Sequence, residues 1–413
     1  MKSAKHNFYR KITGGILVLL TIFGLIQPAV GADAIKFQKV DQGKIPDELE
    51  MLVSATRANY EKIKTWQGKI SSESTYFYYE GKYAADLVKQ QAGITIKEPN
   101  SLARTGESTT EFKIDLGKNI LFKNQKRSSP IDYINPDTET TYTSLDKSSE
   151  TSKIIASEYE IESSPYTKKK DGTITSWLAE KKIRYPEQDL DESDPRFCFS
   201  IGRMPWVLLP MISEGVRRYN KDPNGIEGKK GPNSAFSGVI LEKAQTEKGA
   251  IYRVLINSSF EMQYTFEEKN GFNPTHIESK NAKGIKISEG DIDWVKIQDI
   301  FLPAERRVTQ YDGKDGRLRR EVKLTFSDMQ VNMPLSENTF SINNLGLKNG
   351  DKFVDKIANK EYKYQDANLI EVEKKSEADK KGQAISGDTN STTATGKQKS
   401  TQPKEASVTE PNK

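Results

Sequence analysis

The sequence predicts an α+β protein: one large, curved antiparallel β-sheet, a half-barrel covered on its concave face by helices. Three observations predict it. Helical spacing of apolar residues is found in two segments, Pro46–Lys62 and 205–219. The rest of the body is a series of short apolar and aromatic runs separated by turn residues, the pattern of strands. Strands tied by short turns pair with their neighbours, and helices laid on one face of such a sheet bury it.

The first element is the helix from Pro46. Its Leu49, Leu52, Thr56, Tyr60 and Ile63 recur at three- and four-residue steps and form one apolar face. Pro46 suits the first turn, and Asp47, Glu48 and Glu50 complement the positive end of the helix dipole. The helix runs directly into Thr65-Trp66-Gln67-Gly68-Lys69-Ile70, where a strand begins. Ser72–Tyr79 is rich in Thr and aromatics, as strands are. Glu111–Phe122 places Phe112, Ile114 and Leu116 on one face, then turns at Gly117-Lys118-Asn119. Thr140–Leu145 reads as a strand, whereas Ile154–Glu162 fits a strand or a helix.

The second helix carries Trp206, Leu209, Ile212, Val216 and Tyr219 as its stripe. Pro205 fits the first turn, and Pro210 predicts a kink or an early stop. Ala250–Ile256 and Gln263–Glu267 read as neighbouring strands, with Phe272-Asn273-Pro274 opening the next. Asp312-Gly313-Lys314-Asp315-Gly316 separates two strand-like runs, Glu305–Gln310 and Leu318–Phe326. A hairpin turn explains it better than a calcium loop, because Asp-Gly supplies the positive φ of such turns. The segments 164–173 and 221–234 read as loops.

The ends have different compositions. Lys2, Lys5, Arg10 and Lys11 precede an apolar run from Ile16 to Ile26, and Ala32-Asp33-Ala34 resembles a cleavage site. Residues 1–32 therefore read as a secretory signal peptide, with an uncleaved anchor as the alternative. No Cys follows the run, which argues against a lipidated N-terminus. From 371 to 413 there is no aromatic residue, and Lys, Glu, Ser and Thr dominate; this segment is expected to be a disordered tail. Between them, 33–370 is expected to form a single enlarged domain with inserted loops near 80–105 and 160–235. A periplasmic or secreted location follows from the signal peptide, with no transmembrane segment once it is cleaved.

Residues 1–32 hold four of the 63 Lys and Arg and none of the 58 Asp and Glu, leaving 59 against 58. The remaining chain is nearly neutral, so its charge gives no support to nucleic-acid binding. Cys198 is the only cysteine and excludes an internal disulfide; in Phe197-Cys198-Phe199 it reads as a buried small hydrophobe. His276 is the only imidazole after the signal peptide, so nucleophile–His–acid catalysis has little to work with. No G-x-S-x-G elbow is present, and Gly225–Lys230 fails the phosphate-loop spacing. The acidic stretch Glu187, Asp189, Asp191, Glu192 and Asp194 lacks the EF-hand order and reads as a solvated loop; Asp291 and Asp293 flank Ile292. Glycosidase carboxylates leave no fixed spacing, so a hydrolase using two facing acids stays a third reading. The scarcity of His and Cys makes a non-enzymatic protein without cofactor or metal the expectation.

A wide, strongly curved sheet needs many large side chains inside it or leaves a cavity. Trp66, Tyr76, Phe112, Phe122, Trp206, Trp294 and Phe301 are the candidates to line one.

The closing segment carries a resemblance. Phe301-Leu302-Pro303, then Val331-Asn332 with Leu335 before Phe340, then Gly346, Gly350 and Asp351 before Phe353-Val354-Asp355 resemble the end of the LolA-like fold. That fold is shared by periplasmic lipoprotein carriers and the related RseB sensor. Tyr60 with Thr65-Trp66-Gln67-Gly68 is similar to the family's opening helix and first strand. Asp194-Pro195-Arg196-Phe197 and Gly271-Phe272-Asn273-Pro274 resemble stretches of large secreted proteins of planctomycete-type bacteria. The resemblance covers about a third of the chain. It implies a non-enzymatic binding protein that holds a lipid, acyl chain or lipoprotein in the half-barrel. The alternative is an envelope sensor or adaptor that binds another protein through its outer surface or tail.

Overall fold

The computed structural model describes residues 35–372, apart from 129–131, 136–137, 144–148, 168–173, 185–192, 202, 222–237 and 258–259. The expected signal peptide, the tail beyond Val372, the stretch Gly225–Lys230 and most of the acidic stretch lie outside the described residues.

The elements of the first half are β1 (Gln38–Lys39), α1 (Ile45–Glu61), β2 (Thr65–Tyr78), α2 (Gly81–Ala92), β3 (Leu102–Asp115) and β4 (Ile120–Arg127). They continue with β5 (Asp132–Asn135), β6 (Thr140–Thr143), β7 (Ser149–Ile155), β8 (Tyr159–Thr167) and β9 (Ile174–Ile183). A 3₁₀ turn at Pro195–Phe199 and α3 (Pro205–Lys221) lead into β10 (Val239–Thr246), β11 (Gly249–Asn257), β12 (Phe260–Glu267) and β13 (Asn273–Asn281). The chain closes with β14 (Lys286–Ile297), β15 (Ile300–Tyr311), β16 (Leu318–Val331), β17 (Lys352–Asp355), β18 (Lys360–Gln365) and β19 (Asn368–Glu371).

All of these strands join one open sheet. β1 pairs with β10, and β10 to β16 form an unbroken antiparallel meander. β16 then returns to pair with β2, which continues through β3, β4, β7, β8 and β9. β9 pairs in parallel with β17, and β18 and β19 follow at the edge. The β5–β6 hairpin shares an edge of β3 with β4. Register shifts interrupt the meander in β12–β13, β13–β14, β14–β15 and β15–β16, and such bulges bend and twist a sheet. The curvature is visible at Phe199. It meets Trp66 on β2 at 6.1 Å and Trp294 on β14 at 5.0 Å, although these strands lie three spacings apart, about 14 Å in a flat sheet.

Alternation of side chains defines two faces. The inner face carries Trp66 and Ile70 of β2, Phe112 and Ile114 of β3, and Val322 and Leu324 of β16, all buried. Phe199, delivered by the 3₁₀ turn, seals this aromatic core. α1 and α3 pack together over β10, β11 and β12 through Leu49, Leu52, Leu209, Ile212 and Val216. On the opposite face, the link Ser336–Leu347 covers β7, β8, β9 and β17 with Leu345 and Leu347 against Ile154, Ile161 and Phe353. The expected fold class is the one observed.

Four local readings are sharpened or changed. The loop expected near 80–105 contains α2: Ala84, Val88 and Ala92 lie four residues apart and bury against Leu102 and Tyr133, and Gly93 ends the helix at φ +70°. The region near 160–235 likewise holds β8, β9, the 3₁₀ turn and α3 besides its undescribed residues. α3 does not stop at Pro210, which is exposed, so water can satisfy the backbone it disturbs while the buried stripe holds the helix to α1. The stretch Ile154–Glu162 is the β7–β8 hairpin.

The motifs of the closing segment have physical roles. Asn332 ends β16 at φ +58°; its Oδ1 accepts from the Lys64 backbone N–H at 2.7 Å and its Nδ2 donates to the Lys62 carbonyl at 2.9 Å. It thereby fixes the corner where α1 becomes β2. Asn59 completes that joint, exchanging hydrogen bonds of 3.0 and 2.8 Å with the backbone of Phe301. Asp351 accepts from the Lys348 and Trp177 N–H groups, tying the link to β9. Asp312 accepts from the Lys314 N–H and Gly316 takes φ +73°, a hairpin turn as expected.

Candidate functional site

The inner face does not stay apolar along β2. Beyond Ile70 the same row continues as Ser72, Ser74 and Tyr76, and the antiparallel register places Ser108, Gly106 and Arg104 of β3 opposite them. On the other side, β16 sets Arg320 against Tyr76, and β4 sets Arg127 against Ser108. This polar stretch lies between the aromatic core and α2, and among the described residues of α1, α3 and the 3₁₀ turn none lines it. The result is a groove made of two adjoining cavities that share Tyr76 and Arg320.

The larger cavity, about 410 Å³, is bounded by Tyr76, Tyr78, Tyr79, Tyr83, Gln310 and the arginines of the β15–β16 hairpin. The smaller, about 190 Å³, is bounded by Ser72, Ser74, Arg104, Ser108, Gln125 and Arg127. The tyrosines are held by their neighbours. The guanidinium of Arg320 sits 4.8 Å from the Tyr76 ring centroid and that of Arg104 5.9 Å, so Tyr76 stands between two cations. Arg317 lies 4.5 Å from the Tyr79 ring, whose hydroxyl donates to the Leu318 carbonyl at 2.7 Å.

Among the described residues, five arginines line the groove, Arg104, Arg127, Arg317, Arg319 and Arg320, with three carboxylates, Glu80, Glu107 and Asp312. Asp312 is engaged by Arg319 at 3.0 Å, and Arg317 pairs with Asp315 at 2.7 Å. Among the described residues, Arg104 and Arg127 make no ion pair. The lining contains, among the described residues, no imidazole, thiol or amine. Its chemistry is that of recognition: aromatic faces for an organic group, and guanidinium forks for an anion.

The residues expected to line one cavity do not converge. Trp66 and Phe112 are each 1 % exposed and meet at 5.0 Å, edge to face, with Phe199 and Phe326 around Trp66; they are core. Phe122 is one residue along β4 from the inward Leu121, so it points to the opposite face and packs beside Ile154 and Phe353. Trp206 packs on Tyr60 with ring centroids 4.6 Å apart and the rings tilted by 41°, and burial pushes the Tyr60 hydroxyl up to about 12. Trp294 packs on Phe199 and donates its indole N–H to the Pro274 carbonyl at 2.8 Å. Phe301 lies against Gly271, with Lys296 over its ring. Only Tyr76 of the seven borders the groove. Sequence reasoning missed the arginines because their convergence depends on register across β3, β2 and β16.

The other titratable groups singled out in the sequence have structural partners. His276 lies 2.7 Å from Asp291 on the outer side of the meander; the hydrogen bond to that carboxylate raises the imidazole and lowers the acid. Cys198 is buried and burial pushes its thiol up to about 11, so it acts as an inert hydrophobe. Asp194 accepts from the backbone and guanidinium of Arg196 at 2.7–3.0 Å, both side chains being buried. Arg306 stacks on the Phe197 ring at 3.8 Å and donates to the Phe197 carbonyl at 2.6 Å. These contacts anchor the turn that carries Phe199. Among the described residues no three His, Cys, Asp or Glu gather as a metal-binding group.

No protein-family model matches the chain, and no curated protein matches it. Solved structures similar to it include a putative outer membrane lipoprotein-sorting protein domain from Vibrio parahaemolyticus, with 9% identity, 72% of this chain and 99% of that chain covered, and a TM-score of 0.31. A LolA superfamily protein from Nitrosomonas europaea gives the same identity, coverage and TM-score. A DUF1329 family protein from Desulfovibrio piger gives 7% identity, 72% and 98% coverage, and a TM-score of 0.28. Superpositions at this level say nothing of ligand or activity. The chain's own geometry is an open antiparallel sheet curled around helices on its inner face and closed by the Asn332 and Asp351 joints; its closing motifs resemble those of the LolA-like fold.

Proposed function

We propose that this is a non-enzymatic binding protein of the bacterial envelope, periplasmic or secreted, that holds an amphipathic ligand such as a lipid or the acylated end of a lipoprotein. The observation that carries this reading is the uncovered end of the inner face. Helices and the 3₁₀ turn fill the sheet over its apolar stretch, and the same face then runs into an open groove of tyrosines and arginines. The filling of the core at Trp66 and Phe112 moves the proposed ligand away from them, with Tyr76, Tyr78 and Tyr83 beside its organic part. The resemblance of the closing strands to the lipoprotein carriers supports the reading, as does the signal-like N-terminus. A second reading, an adaptor for another envelope protein, draws on Val207 and Met211, which are exposed on α3.

Native mass spectrometry of the protein purified from its own host tests the choice. A stoichiometric small amphipathic adduct, lost in Tyr76→Ala while the fold persists, is expected. A protein that is empty, and that also fails to bind fluorescent fatty acids and phospholipids, overturns the carrier reading.

A further inference from the structure

We infer that the larger, tyrosine-walled cavity is a sugar site, which takes a neutral sugar ring as the headgroup of a glycolipid or as part of a soluble oligosaccharide. The inference rests on the groove being the ligand site and names the chemistry that its larger cavity recognises.

Tyr76 and Tyr78 close β2, Tyr79 follows it, and Tyr83 stands on the first turn of α2; all four border the cavity. Two of these rings are already engaged. The guanidiniums of Arg320 and Arg104 stand 4.8 and 5.9 Å from the Tyr76 centroid, and that of Arg317 stands 4.5 Å from the Tyr79 centroid. Tyr83 differs. Ala84 and Val88 of α2 are buried, while Tyr83 beside them is 54% exposed, its ring 5.7 Å from that of Tyr78 and tilted by 47°. A ring held at the wall of a cavity by a second ring is a preformed platform, and tyrosine supplies it at low cost in side-chain entropy.

The polar groups of the wall select what lies on that platform. An acyl chain would strip water from Gln310, Asp312 and Arg319 and return no hydrogen bond. A bare anion would meet like charge at Glu80 and Asp312. Asp312 accepts from the Lys314 N–H at 2.8 Å and from Arg319 Nε at 3.0 Å, which leaves acceptor capacity on both of its oxygens. The Arg319–Asp312 pair thus sets donors and acceptors side by side, as neighbouring hydroxyls require. Gln310 lies opposite Arg320, which lies opposite Tyr76, so register brings an amide that both donates and accepts to the same row. Glu80 precedes α2 without capping it through its side chain. A sugar ring has the matching construction: an apolar C–H face for the aromatic platform, and hydroxyls at its edge that each donate and accept.

The test separates the two sources of the sugar. Calorimetric titration of the full protein uses three probes: maltose, dodecyl maltoside below its critical micelle concentration, and a dodecyl ether of polyethylene glycol, which has the same chain and no sugar. Binding of maltose supports the site with a soluble sugar. Binding of the maltoside without maltose, about tenfold or more tighter than the ether, supports it with a headgroup. In either arm Tyr83→Ala is expected to weaken sugar binding about tenfold with unchanged circular dichroism, and Tyr83→Phe, which keeps the ring, less than about twofold. Gln310→Leu is expected to weaken the maltoside and spare the ether. Native mass spectrometry with fragmentation of the adduct carried from the host reads the natural ligand: an adduct that releases a sugar and is lost in Tyr83→Ala supports the inference. A sugar-free adduct, together with no binding of maltose and no preference for the maltoside over the ether, overturns it. If that sugar-free adduct is still lost in Tyr76→Ala, the sugar site falls while the carrier reading stands.

Discussion

At the scale of single residues, Asn332 shows how a small polar side chain is required by geometry. The position needs a left-handed backbone, which Asn tolerates, and the amide then serves both the end of α1 and the start of β2. Asn332→Ala loses both hydrogen bonds and adds backbone strain. A cost of about 2 kcal/mol is expected, since each exposed bond contributes roughly 0.5–1 kcal/mol and the left-handed conformation about 1 kcal/mol. Asn332→Gly removes the bonds and keeps the conformation, so about half of that loss is expected. Urea midpoints of the two variants measure the difference, and equal losses would refute this division. Trp66 teaches the opposite lesson. Its size suggested a ligand contact, yet three aromatic rings and a closed surface leave it no ligand to touch.

At the scale of elements, the 3₁₀ turn is the piece that converts a curved sheet into a filled one. Its five residues place Phe199 between β2 and β14 and are held by the Asp194–Arg196 pair and Arg306. Phe199→Ala opens a cavity under Trp66, and a destabilisation of about 3–5 kcal/mol is expected from truncating a fully buried Phe. Thermal unfolding reads that loss. Ligand binding at the groove is expected to persist in the folded fraction, because Phe199 lines neither cavity. α2 plays the corresponding part at the far end, where it borders the groove with Tyr83. Its short stripe of Ala84, Val88 and Ala92 is weakly apolar, which is why it reads as a loop in the sequence.

At the scale of the whole molecule, one pairing organises everything. β16 returns across more than two hundred residues to lie beside β2, so the N-terminal helix and strand sit in the middle of the sheet. The aromatic core draws on β2, β3, β4, β14, β15 and β16 together. The two halves are therefore expected to unfold in one transition, with circular dichroism, tryptophan fluorescence and calorimetry coincident. Two resolved calorimetric peaks would instead assign β7 to β9 with β17 to β19 to an independent unit built on the outer-face core.

The chain's local patterns already settle much of this. The 3.6-residue stripes of α1 and α3, the period-two strands, the Asp-Gly turn and the scarcity of His and Cys specify an α+β sheet protein with little apparatus for catalysis, because each depends on residues near one another in sequence. The closing motifs were legible for the same reason, as Asn332, Gly346, Gly350 and Asp351 answer to local backbone demands. Which aromatic residues are core and which border open space was not legible, since a one-residue step along β4 sends Phe122 to the far face and a turn from elsewhere covers Trp66. The arginine row is the clearest case. Arg104, Arg127 and Arg320 are scattered along the chain, and only strand register, with its strict alternation of faces, brings them to one groove beside Tyr76.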